Sequence, residues 1–187
     1  PEWRTQLQSL NSKASAYLHE TSGEPSEANC IRRFASTSSG FLMSGSSRPI
    51  RDLETYGDVW PKLYCNRGTS GIDGNLATFA GLCLGSNTFG NLVLGDLAFL
   101  HDVGSLTLLR NWNIRGRILI VDNNGGGIFH FLPVAEAPVE NREATFEKYF
   151  GTPHNQDLAQ LIRGFGFPVR EVQSLKDLEV FPETDSL

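Results

Sequence analysis

Apolar and polar positions follow one another along the chain in blocks that predict strands and helices in turn. The central stretch, residues 91–133, contains two short apolar runs, at residues 92–94 and 118–121. Between these runs, apolar side chains recur at the spacing of one helical face, at Val103, Leu106, Leu109 and Ile114. The pattern predicts a strand, a helix and a second strand, which together form a right-handed βαβ unit with parallel strands.

The sequence before this stretch predicts two helices, followed by strands that alternate with helices. Residues 2–19 have the periodicity of an amphipathic helix, and residues 21–25 form a break typical of a linker. Ser26 suits the start of a second helix that would turn Ile31 and Phe34 inward. Further strands are expected at residues 41–43 and 62–65, and further helices near Pro49 and through residues 77–84.

The sequence after this stretch predicts a covering loop, a helix, a strand and a short final helix. These are assigned in turn to residues 133–141, 155–163, 169–172 and 174–179, the last capped by Ser174. The whole pattern predicts an α/β domain over residues 26–187, with a doubly wound, mostly parallel sheet and helices on both faces. Residues 1–25 are expected to be a helix and linker from a preceding domain. Another helix and strand would be expected after Leu178, so the domain is expected to be incomplete at its carboxyl end.

Each of the two central strands is followed by a polar cluster. Gly95 and Asp96 follow the first apolar run, and Asp-Asn-Asn with three glycines, residues 122–127, follows the second. Parallel strands place their carboxyl ends at one edge of the sheet, where open α/β sheets bind ligands. We therefore expect the two clusters to lie side by side.

The residue types in these clusters suit a metal ion and a diphosphate. Mg²⁺ prefers oxygen ligands, such as the Asp96 carboxylate and the Asn123 amide oxygen, and it shares them with substrate phosphates. Glycines at residues 125–127 let the backbone approach a diphosphate closely. At the spacing found here, the two clusters together predict a site for both groups.

Each cluster taken alone also has a plain structural interpretation. Asp96 could cap the helix that follows it, and residues 123–126 could form an ordinary turn. The serines of residues 44–47 end a predicted strand at the start of a helix, where they could bind an anion or cap the helix. Both interpretations stay open from the pattern alone.

Two further side chains are candidates for contact with a substrate. Arg67 ends the strand predicted at residues 62–65, where its guanidinium would suit a carboxylate, although an isolated arginine more often forms a surface ion pair. His130 could serve as an acid–base group, but a packing or pocket-edge role is favoured.

Composition narrows the classes of partner and of site. The chain has 187 residues and a formal net charge of −5, which argues against nucleic acid or an anionic membrane surface as a partner. No apolar run is long enough to span a bilayer, and no secretory signal opens the sequence. Cys30, Cys65 and Cys83 form no CxxC pair, so buried free thiols in a reducing compartment are expected. The chain begins with Pro1, so a longer parent polypeptide is expected.

Gly-Asp followed by Asn-Asn at this distance resembles the signature of thiamine-diphosphate enzymes, in which the Asp and an Asn hold Mg²⁺ on the cofactor. Further segments narrow the resemblance to the MenD-type synthase family. They are SRPIRD at 47–52, NRGTSGIDG at 66–74, GDLAFLHD at 95–102, NNGGGIF at 123–129 and YFGTPH at 149–154. The resemblance covers roughly residues 26–178, which correspond to the diphosphate-binding domain of that family.

The resemblance implies an activity and its cofactors. The family forms 2-succinyl-5-enolpyruvyl-6-hydroxy-3-cyclohexene-1-carboxylate, on the route to menaquinone or phylloquinone. It decarboxylates 2-oxoglutarate and adds the resulting carbanion to isochorismate, so it is a transferase. The implied cofactors are thiamine diphosphate and Mg²⁺, with Mn²⁺ as a substitute.

The resemblance also implies a role for particular residues. Those implied to contact the cofactor are Ser46, Ser47, Ile72, Gly95, Asp96, Leu97, Asn123, Gly125, Gly126 and Ile128. Those implied to bind the metal are Asp96, Asn123 and the carbonyl of Gly125. Those implied to contact substrate are Ser47, Arg51, Arg67, Ile128, Phe129 and Leu132. Ile72 would support the bent conformation of the cofactor.

The same resemblance implies what this chain lacks. The glutamate that activates the cofactor is expected on a pyrimidine-binding domain that comes from a partner subunit, so no catalytic residue is expected here and the isolated chain should be inactive. A homodimer or homotetramer in the bacterial cytoplasm is implied, or a plastid in a photosynthetic eukaryote. Arg48 departs from the family, which usually has an apolar residue there. The alternatives are another thiamine-diphosphate enzyme acting on pyruvate or a related 2-oxo acid, and a truncated, non-catalytic binding module.

Overall fold

The chain folds around a four-stranded parallel sheet in a computed structural model. The structure describes residues 2–20, 26–57, 62–66, 68, 71–136, 138 and 141–179. The strands are β1 (Phe41–Ser44), β2 (Leu63–Cys65), β3 (Gly90–Gly95) and β4 (Gly116–Val121), and their order in the sheet is β2-β1-β3-β4. Every neighbouring pair is parallel, as the alternation of strands and helices predicts.

Helices connect the strands and lie on both faces of the sheet. In chain order they are α1 (Glu2–Glu20), α2 (Glu27–Ser36), α3 (Arg48–Tyr56), α4 (Asn75–Ser86), α5 (Asp96–His101), α6 (Leu106–Asn111), α7 (Arg142–Phe146) and α8 (Leu158–Gly164). Shorter 3₁₀ helices are Val103–Ser105, Gly127–Phe131, Pro133–Glu136 and Leu175–Glu179, and a π-helical turn is Glu147–Gly151. Among the described residues, no helix combines the length and apolarity that crossing a membrane requires.

The two faces of the sheet bury separate hydrophobic clusters. On one face, Leu92 and Leu94 of β3 pack with residues of α4, α5, α6 and α8. On the other face, Val93 packs with residues of α2 and α3. Alternate residues of a strand point to opposite faces, so a continuous apolar run supplies both clusters. The predicted doubly wound α/β fold is confirmed.

Both N-terminal helices form where periodicity predicts them, but only α2 buries its apolar face. In α2, Ile31 and Phe34 are buried, and the Ser26 hydroxyl accepts a hydrogen bond from the backbone three residues later. Along α1, Trp3 and Leu7 are mostly exposed. Helical spacing therefore predicts both helices correctly and does not distinguish a covered face from an exposed one.

The helix predicted across the middle of the central stretch is interrupted. α5 ends at His101 and α6 begins at Leu106, with a 3₁₀ turn between them. Asp102 lies at the break, and its carboxylate accepts the backbone N–H groups of Leu76 and Ala77 at 2.6 and 3.2 Å, where α4 begins. The interruption lets one carboxylate satisfy donors that the first turn of α4 leaves unpaired. The apolar positions from Leu106 onward are buried as predicted.

The helix predicted over residues 155–163 begins three residues late. Asn155 has a φ of +51°, which lies in the left-handed region and cannot belong to the helix. Asp157 then acts as the N-cap, because its carboxylate accepts the N–H of Gln160 at 2.8 Å. α8 consequently starts at Leu158.

The strand predicted at residues 169–172 is wrong. These residues run in irregular backbone, and a cavity of about 520 Å³ is lined both by them and by β4. Arg170 and Glu171 in the middle of the run are exposed, and they form ion pairs with Asp177 and Arg163, respectively. Adjacent charged residues break the alternation that a half-buried strand requires.

The predicted final helix is a short 3₁₀ helix, and its cap works in the reverse direction. The Ser174 backbone N–H and hydroxyl both donate to the Asp177 carboxylate, at 2.7 and 3.0 Å. Ser174 correctly predicts where the helix begins. Its hydroxyl donates a hydrogen bond to Asp177 within the helix, whereas a serine N-cap would accept one from a backbone N–H.

Replacement of Leu92 by alanine should destabilise the fold strongly. Leu92 is completely buried at the centre of the sheet, so its truncation should lower the free energy of unfolding by about 2–5 kcal/mol. The measurement is urea unfolding of the full natural polypeptide that carries this chain, here termed the complete polypeptide. Leu84→Ala is the matched control, because Leu84 is 45% exposed and should cost less than about 0.5 kcal/mol.

The cysteines should differ in reactivity, because the expectation of buried thiols is met by Cys83 and is wrong for Cys65, which is exposed. Burial raises the pKa of the Cys83 thiol to about 11, against a smaller lowering by a hydrogen bond from the Gly90 backbone, whereas Cys65 is exposed. Iodoacetamide at pH 8, followed by peptide mass spectrometry, should label Cys65 and leave Cys83 unmodified in the folded protein. Equal labelling of both would contradict the burial. Because the folded pKa of Cys83 exceeds its ordinary value of 9.0, its contribution to stability is complete below pH 9.0 and is lost as the pH rises towards 11.

Candidate functional site

The polar clusters meet because β3 and β4 pair in parallel up to their last residues. Gly95 of β3 lies opposite Val121 of β4, so the residues that follow both strands emerge at the same edge of the sheet. Asp96 is the first residue of α5, and the loop of residues 122–127 begins directly after β4. The prediction that the two clusters lie side by side is confirmed.

Asp96 connects the two clusters through its carboxylate. It is 2% exposed; one oxygen accepts the N–H of Leu97 at 2.7 Å, and the other accepts the N–H of Gly125 at 2.8 Å. Burial raises the pKa of this carboxyl group, the two backbone donors oppose the rise, and the charge of Asp122 adds to it. Asp96 is therefore more than a helix cap, because one of its two carboxylate oxygens accepts a hydrogen bond from the loop of residues 122–127.

The glycines at residues 125 and 126 allow the backbone of residues 150–151 to pack closely against the loop. A Cβ on Gly125 would collide with the carbonyl oxygen of Gly151, and one on Gly126 would collide with that of Phe150. The N–H of Gly126 donates to the Gly151 carbonyl at 2.6 Å, and Gly125 has a φ of +143°, a conformation that favours glycine. The structure thus requires glycine here for close backbone packing, and room for a diphosphate stays a prediction.

Two asparagines join the same loop to the segment that covers it. The N–H of Asn155 donates to Oδ1 of Asn124 at 2.8 Å, and Nδ2 of Asn124 donates to Oδ1 of Asn155 at 3.1 Å. Both residues have positive φ, which asparagine tolerates better than most side chains. The reciprocal pair fixes residues 147–155 against residues 122–127.

Asn123 is held by a residue that sequence reasoning did not select. Its Nδ2 donates to Oε1 of Glu27, at the start of α2, at 2.9 Å. This bond uses the amide nitrogen, while the amide oxygen is the atom that a metal would bind. The two residues are 96 positions apart, and no local pattern signals their contact.

His154 is the second residue that sequence reasoning missed as part of the site. Its Nε2 lies 3.3 Å from Oδ2 of Asp96 and 3.4 Å from Oδ1 of Asp122. YFGTPH at 149–154 contributes to the family resemblance, which implies no role for its histidine. A histidine shortly before a helix carries no signal of its own, because nothing local shows which strand end it reaches.

The residues implied to contact the cofactor all line one cavity of about 180 Å³. They are Ser46, Ser47, Ile72, Gly95, Asp96, Leu97, Asn123, Gly125, Gly126 and Ile128. Phe129, implied for the substrate, lines it too. Polar and glycine residues of the loop and apolar residues such as Ile72 and Leu97 line this cavity together, which is the usual composition of a small-molecule site.

The serine turn does not behave as a plain helix cap. Ser47 precedes α3 with a φ of +75° and makes no capping hydrogen bond with its side chain. Its carbonyl instead accepts a bond from Nη1 of Arg51 at 2.7 Å, and the Ser46 hydroxyl donates to the Asn66 carbonyl at 3.0 Å. Arg51 is exposed near the cavity but is not among the residues that line it.

The remaining predicted residues lie away from the cavity or outside the described residues. Leu132 is 45% exposed and does not line the cavity. The His130 ring packs on Phe146 at a centroid distance of 4.6 Å, in agreement with the favoured packing role. Arg67 lies outside the described residues.

The donor set around Asp96 fits a divalent cation. A carboxylate offers about four lone-pair positions, and Asp96 uses three of them, for two backbone N–H groups and for His154. The Asn123 amide oxygen and the Gly125 carbonyl would add the neutral oxygen ligands that Mg²⁺ accepts. Carboxylate oxygens of Asp96 and Asp122 lie within 4.8 Å of each other and of a ring nitrogen of His154.

Comparison with known proteins identifies relatives by sequence. The 2-succinyl-5-enolpyruvyl-6-hydroxy-3-cyclohexene-1-carboxylate synthase of Rubrobacter xylanophilus is 42% identical over 156 residues, which are 81% of this chain and 26% of that protein. The synthase of the same name from Renibacterium salmoninarum is 36% identical over 173 residues, which are 89% of this chain and 31% of that protein. The chain therefore spans about a quarter to a third of the length of these curated relatives. No protein-family model matches it.

Comparison of structures supports the fold independently of sequence. The crystal structure of benzoylformate decarboxylase from Polynucleobacter necessarius superimposes with a TM-score of 0.65 at 14% identity, over 82% of this chain and 29% of that one. At this identity the likeness establishes the fold alone. The sequence relatives show that the chain, over the part it spans, belongs to the family of 2-succinyl-5-enolpyruvyl-6-hydroxy-3-cyclohexene-1-carboxylate synthases.

Proposed function

We propose that this chain is the diphosphate- and metal-binding part of an enzyme that uses thiamine diphosphate and Mg²⁺ to join decarboxylated 2-oxoglutarate to isochorismate. One observation carries the proposal: ten residues that family resemblance implies for the cofactor line a single cavity at the carboxyl ends of parallel strands. Open α/β sheets bind ligands at that position. The product would be an intermediate of menaquinone or phylloquinone synthesis.

Three groups would hold the metal and, through it, the diphosphate. They are the Asp96 carboxylate, the Asn123 amide oxygen and the Gly125 carbonyl, with Mn²⁺ as an alternative to Mg²⁺. The Asp96 carboxylate is already joined to the backbone of Gly125, because its Oδ2 accepts a hydrogen bond from the Gly125 N–H. This bond would orient the carboxylate before the metal arrives.

The apolar residues of the cavity wall would exclude water from the reacting part of the cofactor. Ile72, Leu97 and Ile128 are among the residues that line the cavity. When bound, thiamine diphosphate supplies the nucleophilic carbon and accepts the electrons released by decarboxylation. The protein's contribution is to orient it and to shield it from solvent.

Arginines near the cavity would bind the carboxylates of the substrates. Arg51 is held by the Ser47 carbonyl at 2.7 Å and remains exposed, so its other donors can reach a ligand at the mouth of the cavity. Arg67 would serve the second carboxylate. The activating glutamate would come from the pyrimidine-binding domain of a partner subunit, in a homodimer or homotetramer of the bacterial cytoplasm or a plastid.

The complete polypeptide should consume 2-oxoglutarate and isochorismate together when thiamine diphosphate and Mg²⁺ are supplied. Arg51→Ala should lower kcat/KM for 2-oxoglutarate or isochorismate by about 10–100-fold, because a charged hydrogen bond to a carboxylate is lost. Arg115→Ala is the control, since Arg115 is exposed at the start of β4, at the opposite edge of the sheet. Preference for pyruvate would assign the cavity to a different 2-oxo acid, and cofactor binding without turnover would favour a non-catalytic module.

Gly125→Ala should weaken Mg²⁺-dependent binding of thiamine diphosphate by about tenfold or more, as measured by calorimetric titration. The new methyl group would collide with the Gly151 carbonyl in a backbone conformation that alanine rarely adopts. Gly81→Ala is the control, because a Cβ on Gly81 in α4 meets nothing within 4 Å. Thermal unfolding of both variants would separate loss of binding from loss of fold, and unchanged cofactor affinity in Gly125→Ala would contradict the assignment of this loop.

A further inference from the structure

His154 lies between two carboxylates at the candidate metal site. Its side chain is 8% exposed, and Nε2 is 3.3 Å from Oδ2 of Asp96 and 3.4 Å from Oδ1 of Asp122. Of the two carboxylates, that of Asp96 is 3% exposed and that of Asp122 is 44% exposed. One ring nitrogen therefore lies within hydrogen-bonding distance of both acidic groups.

The other ring nitrogen determines what Nε2 can do. The backbone N–H of Gln156 donates to Nδ1 of His154 at 3.0 Å, so Nδ1 provides a lone pair and carries no proton. In a neutral imidazole the proton is then on Nε2. Nε2 is consequently a hydrogen-bond donor to Asp96, with Asp122 beside it at 3.4 Å, and in this orientation it has no lone pair for a metal ion.

The backbone around His154 is fixed against the loop that it contacts. Asn155, the residue after His154, forms reciprocal hydrogen bonds with Asn124 of the loop at residues 122–127, at 2.8 and 3.1 Å. The Gly126 N–H donates to the Gly151 carbonyl at 2.6 Å. The imidazole is therefore held in place by bonds that do not depend on its own interaction with the carboxylates.

We propose that His154 is a positioning residue that offsets the repulsion between Asp96 and Asp122 by placing its Nε2–H, which is hydrogen-bonded to Asp96, beside both carboxylates. The identity of the site as a metal site rests on the proposed function. A divalent cation on Asp96 would offset the same repulsion. The His154 N–H and the divalent cation would therefore stabilise the same two carboxylates. Loss of the N–H should lower the stability of the fold most when the cation is absent.

The redundancy gives His154→Leu a specific signature in thermal unfolding of the complete polypeptide. In EDTA, Asp96 would lose a hydrogen-bond donor that also lies beside Asp122, and Tm should fall by at least about 2 °C. With saturating Mg²⁺ and thiamine diphosphate, the fall should be less than half as large. The gain in Tm on adding metal and cofactor should therefore be greater in His154→Leu than in the parent.

Three further variants test the cause of that signature. His154→Gln should restore most of the Tm in EDTA, because the glutamine side-chain nitrogen can reach the position of Nε2. In an Asp122→Asn background, His154→Leu should cost less in EDTA, because one of the two charges is gone. His101→Leu is the control, since His101 is exposed at the end of α5 and should leave Tm unchanged in both conditions.

The outcomes separate this proposal from the proposed function. An equal fall in Tm with and without metal would make His154 a packing residue and overturn the proposal, as would failure of glutamine to restore Tm. A smaller metal-induced gain in His154→Leu would make the imidazole a metal ligand and overturn it as well. If the parent protein shows no gain in Tm with Mg²⁺ and thiamine diphosphate, the metal site of the proposed function is refuted. The role of His154 would then still be supported by a fall in Tm of His154→Leu that glutamine restores, and it would be overturned if that fall were absent.

Discussion

The parallel register of β3 and β4 is the constraint on which the site depends. Pairing of Gly95 with Val121 brings two turns together that are about 26 residues apart in the chain. The register is fixed by burial, because residues 92–94 supply hydrophobic clusters on both faces of the sheet. A slip by one residue would exchange the faces of every side chain in the strand, and Asp96 would no longer meet the loop after β4. Core packing and the geometry of the site are thus set by the same interaction.

The backbone of residues 147–155 packs on the loop of residues 122–127. This close packing explains the unusual backbone dihedral angles of both segments. Asn124, Gly125, Thr152 and Asn155 all have positive φ, and conformations of this kind persist only where surrounding contacts over-determine them. The contacts here are the reciprocal asparagine bonds and the short bond from Gly126 to Gly151. The cost of burying Asp96 is offset in the same place, by two backbone donors and by His154.

Sequence reasoning succeeded where the signal was local. Short continuous apolar runs ending in polar clusters are typical of buried parallel strands, and they predicted the sheet and the meeting of Asp96 with residues 122–127. The features that were missed involve partners far apart in the sequence. Asp102, at the break between α5 and α6, accepts backbone hydrogen bonds from the first turn of α4. Glu27 and His154 contact the site although they lie far from it in the sequence. Hydrophobic spacing carries no information about such side-chain bonds. The strand expected at residues 169–172 failed because its charged residues form ion pairs with neighbouring segments.

Arg48 shows how the structure accommodates a residue that departs from the family pattern. It lines the same cavity as the residues implied for the cofactor, where an additional cation could bind an anionic ligand. Its Nη2 instead lies 2.7 Å from Oδ1 of Asp52, one helical turn later, and its guanidinium stacks on the Phe131 ring at 4.5 Å. Burial raises the pKa of Asp52 and Arg48 opposes that rise, so the arginine offsets the cost of a buried acid. Arg48 therefore contributes to the cavity wall a cation that is paired with Asp52 and lies over an aromatic ring. Its Nε and the Asp52 Oδ2 are buried without a hydrogen-bond partner among the described residues, which is the cost of placing this ion pair in the wall.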